Sequence, residues 1–144
     1  MPRFENRAAF VCSLSRHKAA CPTATHPTSL LMKATFAETL ARLPGPAKGP
    51  WTEGAPFATA LQHGSMIVEL YVPRERDLQT PHTRDELYFV IAGRGDFTQG
   101  GKRHTFSPGD VFFVPAGEEH RFENFSADFA TWVVFYGPEG GERP

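Results

Sequence analysis

The sequence predicts an all-β sandwich or barrel, and three observations carry that expectation. Eight short runs rich in aromatic and β-branched residues follow one another over 57–62, 66–72, 86–93, 95–99, 102–106, 110–115, 120–125 and 129–137. A pleated, half-buried surface selects such residues. Turn formers separate the runs, among them Gly93-Arg94-Gly95, Gly100-Gly101, Ser107-Pro108-Gly109 and Pro115-Ala116-Gly117. Short strands broken at this spacing mark sandwiches and barrels rather than parallel sheets with crossover helices. The composition agrees, because 13 Phe, 13 Gly and 13 Pro are many aromatics and many turn residues for 144 positions.

From the N-terminus, residues 1–31 mix basic residues with Pro, Ser and Thr and show no period of two or of 3.6. They read as an extension that is disordered or not part of the working protein, with Met32 as an alternative start. Residues 33–43 read as a short lead-in helix. Thr35 and Glu38 have the spacing of a capping box, in which each side chain satisfies one orphan amide. Phe36, Leu40 and Leu43 share the face expected to pack on the barrel. Four prolines and three glycines in 44–56 leave no regular element, so this is a connector, with Trp51 pinned to the core. The barrel occupies 57–137, and within it Gln99-Gly100-Gly101-Lys102 has the form of a hairpin turn. Residues 138–144 are a polar, Gly-rich tail expected to fray. Alternation nominates Met66, Val68, Leu70, Phe89, Ile91, Phe112, Val114, Phe122, Trp132 and Val134 as packing residues, without separating a barrel interior from a face covered by a second copy.

Length and charge narrow the function. The chain fits one domain, its 40% hydrophobic fraction supports a core, and its net charge of −1 gives no electrostatic reason for a nucleic acid or an anionic membrane as partner. No apolar run approaches the ~20 residues of a membrane span. Residues 8–14 follow Arg3 and Arg7 in the manner of a signal peptide, but the run is short, contains Ser13, and gives way to Arg16, His17 and Lys18. The expectation is therefore a cytoplasmic protein. Both cysteines, Cys12 and Cys21, precede the barrel, which suits a reducing compartment. The spacing of Cys12, His17, Cys21 and His26 matches no common zinc finger.

Metal-ligand chemistry concentrates in two segments, 80–93 and 109–124. In the second, Gly109, Pro115, Gly117, His120 and Asn124 fill every fixed position of G-x5-P-x-G-x2-H-x3-N. In the first, His82, Glu86 and Gly93 follow H-x-H-x3-E-x6-G. These are the two cupin motifs, in order and in register, and over roughly its last two-thirds the chain resembles a small single-domain cupin of the RmlC-like superfamily. The resemblance implies a double-stranded β-helix, or jelly roll, a divalent metal near one end of the barrel, and a homodimer. It also shows a departure, since the first histidine of the first motif falls on Thr80. Three of the four customary ligands remain: His82, Glu86 and His120. Gln79 and Thr80 are the candidates for a fourth. An amide oxygen can bind a metal, but on a regular strand Gln79 and His82 point to opposite faces unless a bulge intervenes. Thr80 has the right parity and a weak, neutral hydroxyl.

The residues themselves point the same way. His82 and Glu86 are four apart and can share a strand face, Pro81 holds Thr80 extended, and the turn at Pro115 and Gly117 aims His120 inward. Two imidazoles and one carboxylate are the set that leaves positions open on Fe(II), and Mn, Ni or Zn suits the same donors. The alternative is a metal-free barrel in which His82 pairs with Glu86 and His120 bonds a backbone carbonyl. Two functions stay open on one scaffold. One is a metal-dependent enzyme of dioxygenase, isomerase or decarboxylase type acting on a small oxygenated organic molecule. The other is a non-catalytic cupin that binds a sugar-like molecule without metal. No Ser-His-Asp or Cys-His arrangement competes for catalysis, and no helix-turn-helix signals a DNA-binding regulator.

Around the site, Tyr88 shares parity with Glu86 and is the candidate catalytic side chain, an acid or a substrate-orienting phenol, with core packing as its alternative. Asn124 is expected to bond backbone near its turn. His63 and His104 flank turns as exposed residues, His63 being a reserve for the missing imidazole. Arg74-Glu75-Arg76-Asp77 reads as a solvated charged loop, and Glu118 and Glu119 as a solvated turn tip.

Overall fold

The computed structural model describes residues 32–143. The expectations for residues 1–31, including the cysteine and histidine spacing there, lie outside the described residues. All eight runs are strands: β1 Phe57–His63, β2 Met66–Tyr71, β3 Asp85–Ala92, β4 Gly95–Gln99, β5 Lys102–Phe106, β6 Val111–Val114, β7 His120–Glu123 and β8 Ala130–Tyr136. They form a five-stranded sheet, β1-β2-β8-β3-β6, and a three-stranded sheet, β5-β4-β7. Every pairing is antiparallel, and the whole is the all-β jelly roll that the sequence predicts. In the β4–β5 hairpin, Gln99 pairs with Lys102 across Gly100 and Gly101, whose φ values are 52° and 77°. Two successive left-handed residues twist the turn in the sense the flanking strands need. Among the described residues, no helix is long and apolar enough to cross a membrane.

The core lies between the sheets. Tyr71, Tyr88, Val90, Val114 and Val133 come from the large sheet, Phe97, Phe106 and Phe122 from the small one, and Phe129 from the loop before β8. Phe122 lies 4.7 Å, centroid to centroid, from both Phe97 and Phe129, in the tilted arrangements aromatic rings favour. Of the predicted packing residues, Leu70, Val114 and Phe122 are fully buried. On β3 and β8 the parity is the reverse of the one predicted. Tyr88, Val90 and Val133 point inward, whereas Phe89 is 39% exposed, opposite Trp132 on the outer face. Ile91 sits at the irregularity between Val90 and Ala92. Both faces of these strands are apolar, so a period of two carries no sign for the inside. Gly93 closes β3 with φ +81°, and a Cβ there would fall 2.5 Å from the Phe129 Cα. Only glycine permits that approach.

The helix α1 spans Phe36–Leu40, shorter than the stretch predicted. Its capping box forms, with the Glu38 amide donating to Thr35 Oγ1 at 3.2 Å and the Thr35 amide to Glu38 Oε2 at 3.3 Å. The buried residue is Thr39 rather than Leu40, which is 39% exposed. The Thr39 hydroxyl donates to the Thr35 carbonyl at 2.9 Å, and a hydroxyl satisfied within its own helix tolerates burial. The described part of the tail, residues 138–143, is hydrogen-bonded to the segment around Thr83 and Asp85. Gly140 donates its amide to the Thr83 carbonyl at 2.7 Å, and Glu142 donates its amide to the Asp85 carboxylate at 2.7 Å. It thus pins the segment that enters β3.

Candidate metal centre

Residues 72–84, between β2 and β3, form no strand. His82 therefore reaches Glu86 from a loop rather than by strand alternation. The same irregularity lets Gln79 and His82 line one cavity without a bulge. Two bonds bolt the second segment to the first. The Gly117 amide donates to the His82 carbonyl at 2.7 Å, and the Ala116 amide donates to Asp85 Oδ1 at 3.0 Å. Gly117 has φ +81°, the left-handed conformation that the turn requires. His120, the first residue of β7, is thereby brought to β3 from 34 positions further along the chain than Glu86.

His82, Glu86 and His120 each offer a ligand atom within 4.8 Å of the other two. Glu86 Oε2 lies 2.6 Å from His82 Nε2 and 3.3 Å from His120 Nε2. Backbone carbonyls settle which ring nitrogens carry protons. Arg84 O meets His82 Nδ1 at 2.5 Å, and Glu118 O meets His120 Nδ1 at 2.9 Å. A carbonyl only accepts, so both Nδ1 atoms donate and both Nε2 atoms face Glu86, with His120 Nε2 also 2.9 Å from the Tyr88 hydroxyl. This is the tautomer and the outer-shell support that metal-bound histidines use. His82 Nε2 and Glu86 Oε2 are buried and lack any hydrogen-bond partner, being in contact but off the hydrogen-bonding direction. Two buried polar atoms left without a partner, beside a third ligand-type atom, fit a divalent cation, for which His82 Nε2, His120 Nε2 and a Glu86 oxygen are the candidate ligands.

The electrostatics express the same demand for positive charge. Burial pushes Glu86 up, but the imidazoles of His120 and His82 and the Tyr88 hydroxyl outweigh it and hold the carboxyl below its ordinary range. Burial pulls His82 down, but contact with Glu86, the charge of that carboxylate and the Arg84 carbonyl outweigh it and hold the imidazole above its ordinary value. Burial beside Glu86 drives Tyr88 far above the usual phenol range, so the hydroxyl keeps its proton.

Tyr88 is fully buried, a member of the aromatic core whose hydroxyl lies 2.9 Å from both Gln79 Oε1 and His120 Nε2. Gln79 is oriented in turn by Asp77, to which its Nε2 donates at 2.7 Å. The Asp77 carboxylate also accepts from the Tyr71 hydroxyl at 2.7 Å and from the backbone amides of Gln79 and Phe122, each at 2.9 Å. Asp77 is 2% exposed, so the reading of residues 74–77 as a wholly solvated loop fails at its last residue. Four donors compensate its burial, two from Gln79 in the same loop, one from Tyr71 on β2 and one from Phe122 on β7. Nothing local marks it, for it follows Arg74, Glu75 and Arg76, which are exposed.

The other nominated residues fall outside the cluster. Thr80 is exposed, as are His63 and His104. Gln79 lines the cavity with its oxygen given to Tyr88. Asn124, with φ +50°, donates to the Asp96 carboxylate at 2.8 Å rather than to backbone. Glu118 accepts from the Gln99 amide group at 3.0 Å, while Glu119 is exposed. The cavity beside His82 and Glu86 measures about 330 Å³ and is walled in part by Lys48, Trp51, Glu69, Arg84 and Phe135, none of which the sequence assigns to the site. A lone tryptophan within a Pro- and Gly-rich connector is the one signal that hints at them.

Comparison with known proteins follows this geometry. The Cupin_2 profile, described as a cupin domain, matches residues 67–136 and so spans both motifs. An uncharacterised protein of Streptomyces coelicolor, SCO3923, is 41% identical over 81 residues, 55% of this chain and 77% of that one. Dimethylsulfoniopropionate lyase DddQ of Ruegeria pomeroyi is 32% identical over 89 residues, 59% of this chain. The match spans only 42% of the lyase. Among solved structures, plu4264 of Photorhabdus luminescens superposes with a TM-score of 0.51 at 18% identity, covering 56% of this chain and 73% of that one, a likeness of fold. With both motifs in place on an antiparallel jelly roll, the chain belongs to the cupin family.

Proposed function

We propose that this cupin is a metal-dependent enzyme acting on a small oxygenated organic molecule, with His82, Glu86 and His120 as the metal ligands. One observation carries the reading: His82 Nε2 and Glu86 Oε2, both buried and without a hydrogen-bond partner, converge with His120 Nε2, and the other nitrogen of each imidazole is held by a backbone carbonyl. An Fe, Mn, Ni or Zn ion would supply Lewis acidity there, polarising an oxygen of the substrate or lowering the pKa of a water. The chain's own residues do the positioning. The Arg84 and Glu118 carbonyls fix the two rings. Tyr88 has no exposure to the cavity and acts through His120, as a positioning residue rather than a catalytic acid. Gln79 serves Tyr88, so the protein supplies three ligands and leaves positions open for the substrate. Trp51, Phe57, Val133 and Phe135 give the cavity apolar walls for the carbon part of a substrate. An enzyme role draws support from the relative named as a lyase, which aligns over 59% of this chain.

A metal-free, non-catalytic binding cupin is the second reading, and the 2.6 Å contact between His82 and Glu86 favours it, because an imidazolium and a carboxylate hold each other there without an ion. Elemental analysis of protein purified without chelator, beside His120→Ala, separates the two. Near-stoichiometric metal that disappears in the variant is the expected result. Wild-type protein free of metal, and unable to take it up when Fe, Mn, Ni or Zn is offered, overturns the enzyme reading. Turnover by the iron-loaded protein without O₂ would then exclude an oxygenase and leave an isomerase, a decarboxylase or a lyase.

The homodimer and the cytoplasmic location belong to the same proposal. On the outer face of the large sheet, Phe89 sits opposite Val111 and Trp132, and Leu87 sits opposite Phe113 and Val134. Phe89, Val111 and Phe113 are 39%, 54% and 48% exposed. Two adjacent apolar rows reaching the edge strand β6 make a patch that a second copy of the chain would cover.

A further inference from the structure

Part of the cavity wall lies outside the residues that match the family. Lys48 and Trp51 come from the connector, and Phe57 from the first residue of β1, all before residue 67. A clasp of two backbone bonds fixes the connector: Lys48 donates its amide to the Trp51 carbonyl at 3.2 Å, and Trp51 returns the bond at 3.0 Å. Trp51 then packs edge-on against Phe57, with centroids 5.2 Å apart.

Two cations are held over aromatic faces of this wall. Lys48 Nζ lies 5.6 Å from the Phe57 ring centroid, and the Arg84 guanidinium carbon lies 5.9 Å from that of Phe135. Arg84 also donates Nη1 to the Ser65 carbonyl, which fixes its direction and leaves its other donors uncommitted. Among the described residues neither cation belongs to an ion pair. Glu69, on the same wall, accepts from the Thr59 hydroxyl at 3.0 Å and pairs with neither. Burial, with the charge of Glu86, holds Glu69 above the usual carboxylate range although the Thr59 hydrogen bond and the charges of Lys48 and Arg84 pull it down. Cation–aromatic contact orients a charge without neutralising it. The wall also carries Glu69 and Glu86, but neither cation lies within ion-pair distance of a carboxylate, so each keeps donors free to meet an anion.

We propose that Lys48 and Arg84 form a carboxylate subsite beside the ligand cluster, and that the bound molecule is a small monocarboxylic acid whose apolar part lies against Trp51, Phe57 and Phe135. The proposal rests on the reading of this cavity as the substrate site and names its substrate class. The guanidinium fork matches a planar carboxylate, and the ammonium adds a point charge. A volume of about 330 Å³ is at the small end for ligand sites, which sets the size at that of a small metabolite. Glu69 acts against dicarboxylic acids, because a second carboxylate would have to sit beside it.

The test uses the full chain, with and without added metal, and calorimetric titration with pyruvate, 3-hydroxybutyrate and benzoate, each against its neutral amide, and with succinate. At least one monocarboxylate is expected to bind about tenfold or more tighter than its amide, the scale of charge-assisted bonds that the amide cannot make, and tighter than succinate. That preference is expected to fall below about threefold in Lys48→Gln and in Arg84→Gln, and to return only in part in Arg84→Lys, which keeps the charge but not the fork. Lys48 is exposed, so its variant keeps the fold if Arg84→Gln does not. Equal binding of acids and amides, no binding by any acid, or a preference that survives both variants overturns the subsite. Metal content of the same samples reports separately on the ligand cluster. Acid preference in metal-free protein upholds the subsite while the metal reading fails, and metal without acid preference does the reverse.

Discussion

Asp77→Asn is the substitution that most directly tests how the site is held. The change is nearly isosteric, so packing is preserved and only the hydrogen-bond inventory alters. Asp77 Oδ1 accepts from the Tyr71 hydroxyl at 2.7 Å and the Gln79 amide at 2.9 Å, while Oδ2 accepts from Gln79 Nε2 at 2.7 Å and the Phe122 amide at 2.9 Å. An asparagine has one acceptor oxygen. The cheaper orientation keeps that oxygen toward Gln79 Nε2 and Phe122 and turns the new amide group toward Tyr71, whose hydroxyl oxygen can accept. The Gln79 amide then loses its partner, and the surviving bonds change from charged to neutral. A bond to a charged group contributes about 1.5–3 kcal/mol, so the total cost is about 2–4 kcal/mol. For a domain of this size that lowers Tm by about 8–16 °C. The assay is thermal unfolding at pH 7, followed by calorimetry or circular dichroism, with Glu75→Gln as reference. Glu75 is exposed, and a surface change of that kind stays within about 0.5 kcal/mol. If Asp77→Asn melts within a degree or two of Glu75→Gln, the carboxylate is not the keystone described and the account of how Gln79 and Tyr88 are positioned fails with it.

Three further outcomes follow from the structure. Because burial raises Glu69 in the folded state, the unfolded chain loses that proton first as pH rises through about 4.5, and stability falls across the window up to the folded value; Glu69→Gln is therefore expected to raise Tm at pH 7 and to leave it unchanged at pH 3.5, and an equal effect at both values would show that the charge is not the cause. Gly93→Ala places a Cβ 2.5 Å from the Phe129 Cα at φ +81°, combining backbone strain with overpacking at a cost of about 2–5 kcal/mol, which chemical denaturation would measure and which a loss below 1 kcal/mol would contradict. Phe113→Glu puts a charge into the exposed outer row and is expected to convert a dimer into a folded monomer by sedimentation velocity; a wild-type monomer at micromolar concentration would rule out the proposed interface.

What the sequence determined by itself is what local chemistry encodes. Turn residues with left-handed conformations, such as Gly100, Gly101 and Gly117, punctuate the strands wherever they fall, so all eight strands and the capping box of α1 were legible. The cluster of His82, Glu86 and His120 was legible too, because fixed spacing inside two short segments singles them out without reference to the rest of the chain. Tertiary structure alone decided which apolar face of β3 and β8 is the interior, since Tyr88 and Phe89 are equally acceptable to a strand and only closure against the small sheet distinguishes them. It alone decided that Asp77 is buried, because the donors that compensate its charge arrive from as far away as Phe122, 45 positions along the chain. Lys48 and Trp51 likewise join the cavity through the fold of an irregular connector, which has no period from which a direction can be read. Long-range compensation of charge and the choice between two apolar faces are properties of the assembled barrel, and no window of sequence contains both partners.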